Sequence, residues 1–163
     1  MRKKIAVIGA GAAGFFGAIR IKSLLTDSNV IVFEETNKML AKVKVSGGGR
    51  CNVTHNCFEV SKLIKNYPRG GKELRSAFMQ FGPADTINWF KERGVEIKAE
   101  ADGRMFPVTD NSQTIIDCFY DEAEKLGIEF SLGTAIKSVQ GKDGKVELQF
   151  EDGSTDVFDA VLI

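Results

Sequence analysis

The chain has no excess of charge of either sign. Its 22 Lys and Arg match 22 Asp and Glu, for a formal net charge of +0. No global field therefore steers it to nucleic acid or to an anionic membrane. It also lacks an apolar run long enough to span a bilayer, and Met1-Arg-Lys-Lys leads into a strand and not into the apolar core of a signal peptide. The expectation is a cytoplasmic protein without a membrane or nucleic-acid partner. Cysteine is scarce: Cys51, Cys57 and Cys118 are an odd number without a secretion signal, which argues against a disulfide framework. His55 is the only histidine. With Cys51 and Cys57 it makes three nearby metal-ligating side chains but no C-x-x-C pair, so no metal site is expected. No nucleophile elbow, paired-carboxylate arrangement, internal repeat or low-complexity linker is visible. A chain of 163 residues, 43% apolar and 27% charged, can bury one core.

What is present begins at Ile5-Ala-Val-Ile-Gly-Ala-Gly-Ala-Ala-Gly14. The apolar run Ile5 to Ile8 has the pattern of a parallel strand buried on both faces. Gly9, Gly11 and Gly14 follow as G-x-G-x-x-G. The first serves a tight turn, the second lets backbone approach a pyrophosphate, and the third lets helix and strand touch. A helix is predicted from Ala12 to about Leu25, with Phe15, Ala18, Ile19, Ile21, Leu24 and Leu25 facing inward. Its first turn offers N–H groups to an anion. The glycine pattern alone is weak, but a second apolar run, Val30-Ile-Val-Phe, ends in Glu34, 20 residues beyond Gly14. That spacing brings a carboxylate to the ribose hydroxyls of an adenine nucleotide and opposes a 2′-phosphate.

The next strand candidate, Ile128-Glu-Phe130, lies more than 90 residues beyond Glu34, so a large segment is inserted. It opens with Lys38, Lys42 and Lys44 and then Ser46-Gly-Gly-Gly-Arg-Cys-Asn52. Three consecutive glycines read as exposed backbone N–H groups and not as packing, with Arg50 as a fixed cation. A second anion-cradling loop so soon after the ribose strand points to FAD over NAD.

These motifs, together with Leu40 to Thr54, Tyr67-Pro-Arg-Gly70 and Asp102-Gly-Arg-Met-Phe-Pro107, resemble the bacterial NAD(P)/FAD-dependent oxidoreductases called aminoacetone oxidase-like or HI0933-like flavoproteins. The resemblance runs along the whole chain. It implies an α/β glutathione-reductase-like FAD-binding Rossmann fold with a parallel sheet, interrupted by a substrate domain. It further implies that Gly9, Gly11, Ala12, Ala13 and Gly14 hold the pyrophosphate and Glu34 the ribose. Lys42, Gly48, Arg50, Cys51 and Asn52 hold the remainder of FAD, and backbone near Ile136 meets adenine. The resemblance implies no one substrate. The activity expected is flavin-mediated hydride transfer on a small organic substrate, with NAD(P)H or oxygen closing the cycle, and with catalytic residues and oligomeric state left open. The alternatives are a non-catalytic nucleotide-binding module and a thiol-disulfide reductase using Cys51 and Cys57. Five residues separate those two where disulfide reductases have four, which disfavours the last.

Three segments are expected: 1–52 as a βαβ unit with the glycine-rich loop, 53–110 as a mainly helical insertion, and 111–163 as helix, third strand and meander. In the insertion, Val60 to Lys65, Leu74 to Phe81 and Asp85 to Arg93 read as helices, Val95 to Lys98 as a strand, and Gly103 to Pro107 as a turn. Asp110-Asn-Ser112 opens a helix from Gln113 to Leu126, closed by Gly127. Asp143-Gly144 and Asp152-Gly153 read as hairpin turns, giving an antiparallel meander of Thr134 to Val139, Lys145 to Phe150 and Thr155 to Ile163. Asp159 to Ile163 also reads as a buried parallel-sheet strand ending without a cap. Chains of the resembled family are much longer, so this one reads as the N-terminal part of a larger flavoenzyme, inactive by itself.

Overall fold

The computed structural model describes residues 2–163, the side chain of Lys142 apart. In chain order the elements are β1 (Lys4–Ile8), α1 (Ala12–Leu24), β2 (Asn29–Glu34), α2 (Ala41–Gly49), β3 (Thr54–His55) and α3 (Val60–Leu63), which a 3-10 turn, Ile64–Asn66, continues. Then come α4 (Gly71–Gln80), α5 (Pro83–Lys91), β4 (Ile97–Ala99), β5 (Arg104–Pro107), α6 (Ser112–Lys125), β6 (Glu129–Leu132), β7 (Ile136–Lys142), β8 (Lys145–Phe150), β9 (Thr155–Phe158) and β10 (Ala160–Leu162). They fall into two compact units, Met1–Val43 with Phe119–Ile163, and Lys44–Cys118. No helix of the described residues is long and apolar enough to cross a membrane.

The first unit is a Rossmann-like α/β layer structure. Its parallel sheet has the order β10-β1-β2-β6, with Ile5 opposite Val30, Val7 opposite Val32 and Val32 opposite Phe130. Side chains alternate between the faces of a strand, so both faces must be covered if the run is apolar throughout. One face is covered by helix: the Phe15 ring of α1 stacks on Phe130 at 4.8 Å and meets Phe119 and Tyr120 of α6 at 5.9 and 5.7 Å. The other face carries Ala6 and Phe33, which join the fully buried Leu148 and Phe158 of the meander β7-β8-β9. Phe33 meets Phe158 edge-on at 5.8 Å.

Two details depart from the sequence reading. The expected third meander strand splits at Asp159. Its N–H donates to the Lys4 carbonyl at 2.8 Å, and its carboxylate accepts from the Lys4 N–H at 2.7 Å. That exchange moves the chain from the antiparallel meander into the parallel sheet, where β10 pairs with β1 as an edge strand. Within β10, Ala160 and Leu162 are exposed and Val161 is half-buried, against the buried strand expected. The inward face of α1 is also rotated. Phe15, Ala18, Ile19 and Lys22 are buried, whereas Leu24 is 63% exposed. The Lys22 ammonium takes the inward position because it donates to the carbonyls of Thr26 and Ser28, at 2.8 and 2.5 Å, and so closes the turn into β2.

In the second unit α3, α4 and α5 occupy the helical stretches expected. Pro83 stands in the first turn of α5 and the Asp85 carboxylate accepts from the Gly82 N–H at 2.8 Å, which fixes the helix start. The unit also holds a small antiparallel sheet of order β3-β5-β4 that the pattern did not reveal. Arg104 to Pro107, expected as a turn, is its central strand, with Met105 opposite both Thr54 and Ala99. The turn lies just before it, where Gly103 at φ +83° closes back on the Glu100 carbonyl at 2.9 Å.

Two stability predictions follow from these contacts. Leu148→Ala empties the centre of the cluster between sheet and meander, and should cost about 2–5 kcal/mol in a denaturant titration. Lys22→Ala strips two carbonyls of their donor and should cost about 1–3 kcal/mol. A loss under about 0.5 kcal/mol for either would contradict the role given to that side chain.

Candidate functional site: a nucleotide cradle in the first unit

The turn between β1 and α1 is shaped by three glycines with three different geometries. Gly9 has φ +97°, the left-handed region that side chains avoid. Gly11 has ordinary backbone angles, and a Cβ built on it would meet nothing within 4 Å. Gly14 is the opposite case, because a Cβ there would lie 1.9 Å from the Gly9 carbonyl oxygen. Gly14 therefore serves helix–strand contact, while the space over Gly11 stays open. Ala12 and Ala13 start α1, and no side chain caps its N-terminus. Its N–H groups and positive dipole end are thus available to an anion.

Glu34 ends β2 beside this turn. One carboxylate oxygen accepts from the Ala10 N–H at 2.9 Å, and the other accepts from the N–H and hydroxyl of Thr36 at 2.9 and 2.8 Å. The backbone bond from Ala10, then that from Thr36, hold the carboxyl below its usual range. Glu34 is therefore an ionised acceptor held in one orientation, with lone pairs remaining. Gly9, Glu34 and Ile136 line one cavity of about 290 Å³, together with Ile8, Phe33, Glu35, Thr134, Ala135 and Glu151. Three carboxylates border this cavity, which disfavours a phosphate inside it.

Thr36 and Glu151 are site residues that sequence reasoning missed. Thr36 has a local signal, a hydroxyl two residues after the strand-end acid. Glu151 has none, since the turn between β8 and β9 delivers it from the far end of the chain. Lys42 lies exposed in the first turns of α2 in this unit.

In the second unit the run Ser46 to Asn52 is a left-handed coil. Helical geometry ends at Ser46, and Gly47, Gly48, Gly49 and Cys51 all have positive φ. Gly48 is exposed, with open space where a Cβ would stand. Gly47 does serve packing, contrary to the sequence reading: a Cβ would lie 2.7 Å from the Phe106 ring and 2.9 Å from the Asn52 nitrogen. The Arg50 guanidinium lies 4.0 Å over the Phe106 ring, paired with Glu100 and 3.7 Å from Asp110. The Glu100 bond pushes its proton affinity up, so Arg50 stays charged, with that charge already matched by two acids. Asn52 accepts from the Met105 N–H at 3.3 Å. Burial pushes the Cys51 thiol up, with the Ser46 hydroxyl opposing, and Cys51, Cys57 and Cys118 are all free thiols. Among the described residues no group of three or more acids, cysteines or histidines gathers to hold a metal.

Known proteins resemble this chain along most of its length. It is 31% identical over 133 residues, 82% of its length, to the ribosomal RNA dihydrouridine synthase of Escherichia coli. It is 24% identical over 137 residues, 84% of its length, to the 3-dehydro-bile acid delta(4,6)-reductase of Clostridium scindens. It spans 32% of each of those relatives. Among solved structures, a 3-ketosteroid-delta4-(5alpha)-dehydrogenase from Rhodococcus jostii superposes with a TM-score of 0.66 at 15% identity, covering 98% of this chain and 44% of that one. Thermovibrio ammonificans THI4 superposes at 0.59 with 12% identity, covering 98% and 56%. At such identity these two speak for the fold alone. A family model described as the HI0933-like protein Rossmann domain matches residues 3–163. The chain, in sequence and in fold, belongs to that family.

Proposed function

We propose that this chain binds FAD non-covalently and serves an oxidoreductase that passes hydride between flavin and an organic substrate. The observation that carries this reading is the cavity shared by Gly9, Glu34 and Ile136 beside the open space over Gly11. Those residues fit an ADP half. Gly9, Gly11, Ala12, Ala13 and Gly14 would hold the pyrophosphate, Glu34 the ribose diol, and backbone near Ile136 the adenine. The three bordering carboxylates favour an unphosphorylated ribose, which supports FAD over NADP(H) at this position. Lys42, Gly48, Arg50, Cys51 and Asn52 are proposed for the rest of the cofactor on family resemblance. Bound flavin supplies the redox chemistry, and the chain's residues bind and orient it. NAD(P)H or oxygen would close the cycle, and the cytoplasm is the compartment proposed.

The names of two relatives support a substrate class. Forming dihydrouridine saturates a carbon–carbon double bond conjugated to a carbonyl, and a delta(4,6)-reductase acting on a 3-dehydro-bile acid does the same. We therefore extend the proposal to reduction of a carbonyl-conjugated alkene. The thiol-disulfide alternative finds no support, because the Cys51 thiol is buried and biased toward its protonated form.

Two substitutions separate binding from folding. Gly11→Ala has room in the fold but intrudes on the pyrophosphate, so it should leave the melting temperature within about 2 °C and weaken FAD binding at least about tenfold by fluorescence quenching. Gly14→Ala should lower the melting temperature instead. Unchanged affinity in Gly11→Ala would refute the cradle. Glu34→Ala removes a charged acceptor whose bonds are worth about 1.5–3 kcal/mol each, and should weaken FAD binding more than about tenfold. An affinity within a factor of two of the parent would remove Glu34 from the ribose.

The pH dependence has a definite sign. The Glu34 carboxyl is lowered in the folded chain, so its stabilisation is fully present above the unfolded value of about 4.3 and is lost as pH falls through the lower folded value. The stability difference between the parent and Glu34→Gln should be constant between about pH 6 and 8 and shrink only in acid. A difference that changed across neutrality would assign the titration to another group.

A further inference from the structure

The chain's zero net charge hides a local imbalance. Between Phe58 and Phe81 stand Lys62, Lys65, Arg69, Lys72 and Arg75 against Glu59 and Glu73 alone, a formal +3, so the rest of the chain carries −3. Arg69, Lys72 and Arg75 make no ion pair among the described residues. Lys62 is spent on Glu59, whose field Lys65 also feels. The same stretch holds the exposed large aromatics of the described chain: Phe58 at 55%, Tyr67 at 41% and Phe81 at 39%. α4 buries no residue at all, so its side chains are not committed to a core. Between the 3-10 turn and α4 lies a cavity of about 440 Å³, bordered by Lys65, Tyr67 and Lys72, by one acid, Glu73, and by Ile64, Pro68, Gly70 and Gly71. Tyr67 stands there with its ring 5.4 Å from Phe78.

We propose that this segment, from α3 through α4, is a surface for single-stranded RNA. Lys65, Arg69, Lys72 and Arg75 would meet phosphates, and Tyr67 would stack a base over the cavity. A basic track interleaved with aromatic faces is the chemistry that holds unpaired polynucleotide, since phosphates need cations and every base has a π-face. A free steroid or other small neutral enone has no use for four cations. The proposal deepens the reading above, resting on it for the choice of RNA, because uracil in RNA is itself a carbonyl-conjugated alkene.

The test is anisotropy with a fluorescein-labelled 20-nucleotide uridine-rich RNA, at several salt concentrations, on the chain and three variants. K65Q/R69Q/K72Q/R75Q should weaken binding at least about tenfold and flatten the slope of log affinity against log salt by about 3, since each phosphate contact on a single strand contributes about 0.7. Tyr67→Ala should weaken binding several-fold with the slope unchanged. A control, K91Q/K125Q, should change neither. RNA binding that survives in the fourfold variant would overturn this surface and leave an RNA substrate standing. No RNA binding by the parent chain, with FAD binding intact, would overturn this surface and leave the flavin reading standing. Competition by inorganic polyphosphate as strong as by RNA, with Tyr67→Ala silent, would make it a polyanion patch and also defeat the proposal. If the fourfold variant melts early, Tyr67→Ala and the single substitutions K65Q and K72Q carry the same comparison.

Discussion

The first unit depends on one close approach, that of α1 to β1 where Gly14 passes the Gly9 carbonyl. A methyl group would stand 1.9 Å from that oxygen, so no other residue allows the helix to start where it does. The start point fixes the rest. It aims the uncapped first turn of α1 at the space over Gly11, and it sets Phe15 onto Phe130. It leaves the Ala10 N–H facing Glu34, whose carboxylate then ties the turn to the end of β2. A single steric permission thus places an uncapped helix start, the Glu34 carboxylate and a core aromatic. The carboxylate already accepts three protein hydrogen bonds before any ligand arrives, so ligand binding need not pay to orient it.

A second constraint comes from the sheet having to be covered on both faces. Helices cover one and the meander the other, so the chain must leave the meander and re-enter the sheet within a residue or two. Asp159 accomplishes this by exchanging two hydrogen bonds with Lys4. Lys4 also pairs with Asp156 at 2.5 Å and lies 4.7 Å over the Phe158 ring. The N-terminal strand and the last strand are in this way locked at one corner. Local sequence cannot announce such a joint, because its partners lie more than 150 residues apart.

Much of the fold was legible because its signals are local. The glycine spacing, the doubly buried strands, the Asp-Gly turns and the acid at the end of β2 each follow from a few neighbouring residues. The misses share the opposite character. Lys22 was passed over because its burial depends on carbonyls four and six residues later, in a turn whose shape periodicity does not encode. β3 and β5 were lost because strands of two and four residues give too few alternations to outvote the glycine and proline beside them. Gly47 was misjudged because the ring it packs against, Phe106, arrives from a distant strand. Of the site, Glu34 and the glycines were readable. Glu151 was not, and the matching of Arg50 by Glu100 and Asp110 required the hairpin to be known.

Whole-chain net charge is a coarse guide to a surface for a physical reason of the same kind. Net charge summed over the whole chain describes the field far away, whereas in physiological salt a charge is felt over about 8 Å. A polyanion approaching α4 therefore meets the basic residues of one short stretch and not the acids that cancel them in the sum. A phosphate approaching the Glu34 cavity meets three carboxylates and is turned away, although a few residues along the chain α1 presents the positive end of its dipole. The chain is neutral only as a total. Where ligands are recognised, acids border the place proposed for a ribose and cations border the place proposed for a phosphate backbone, and each local sign matches the chemistry assigned to it.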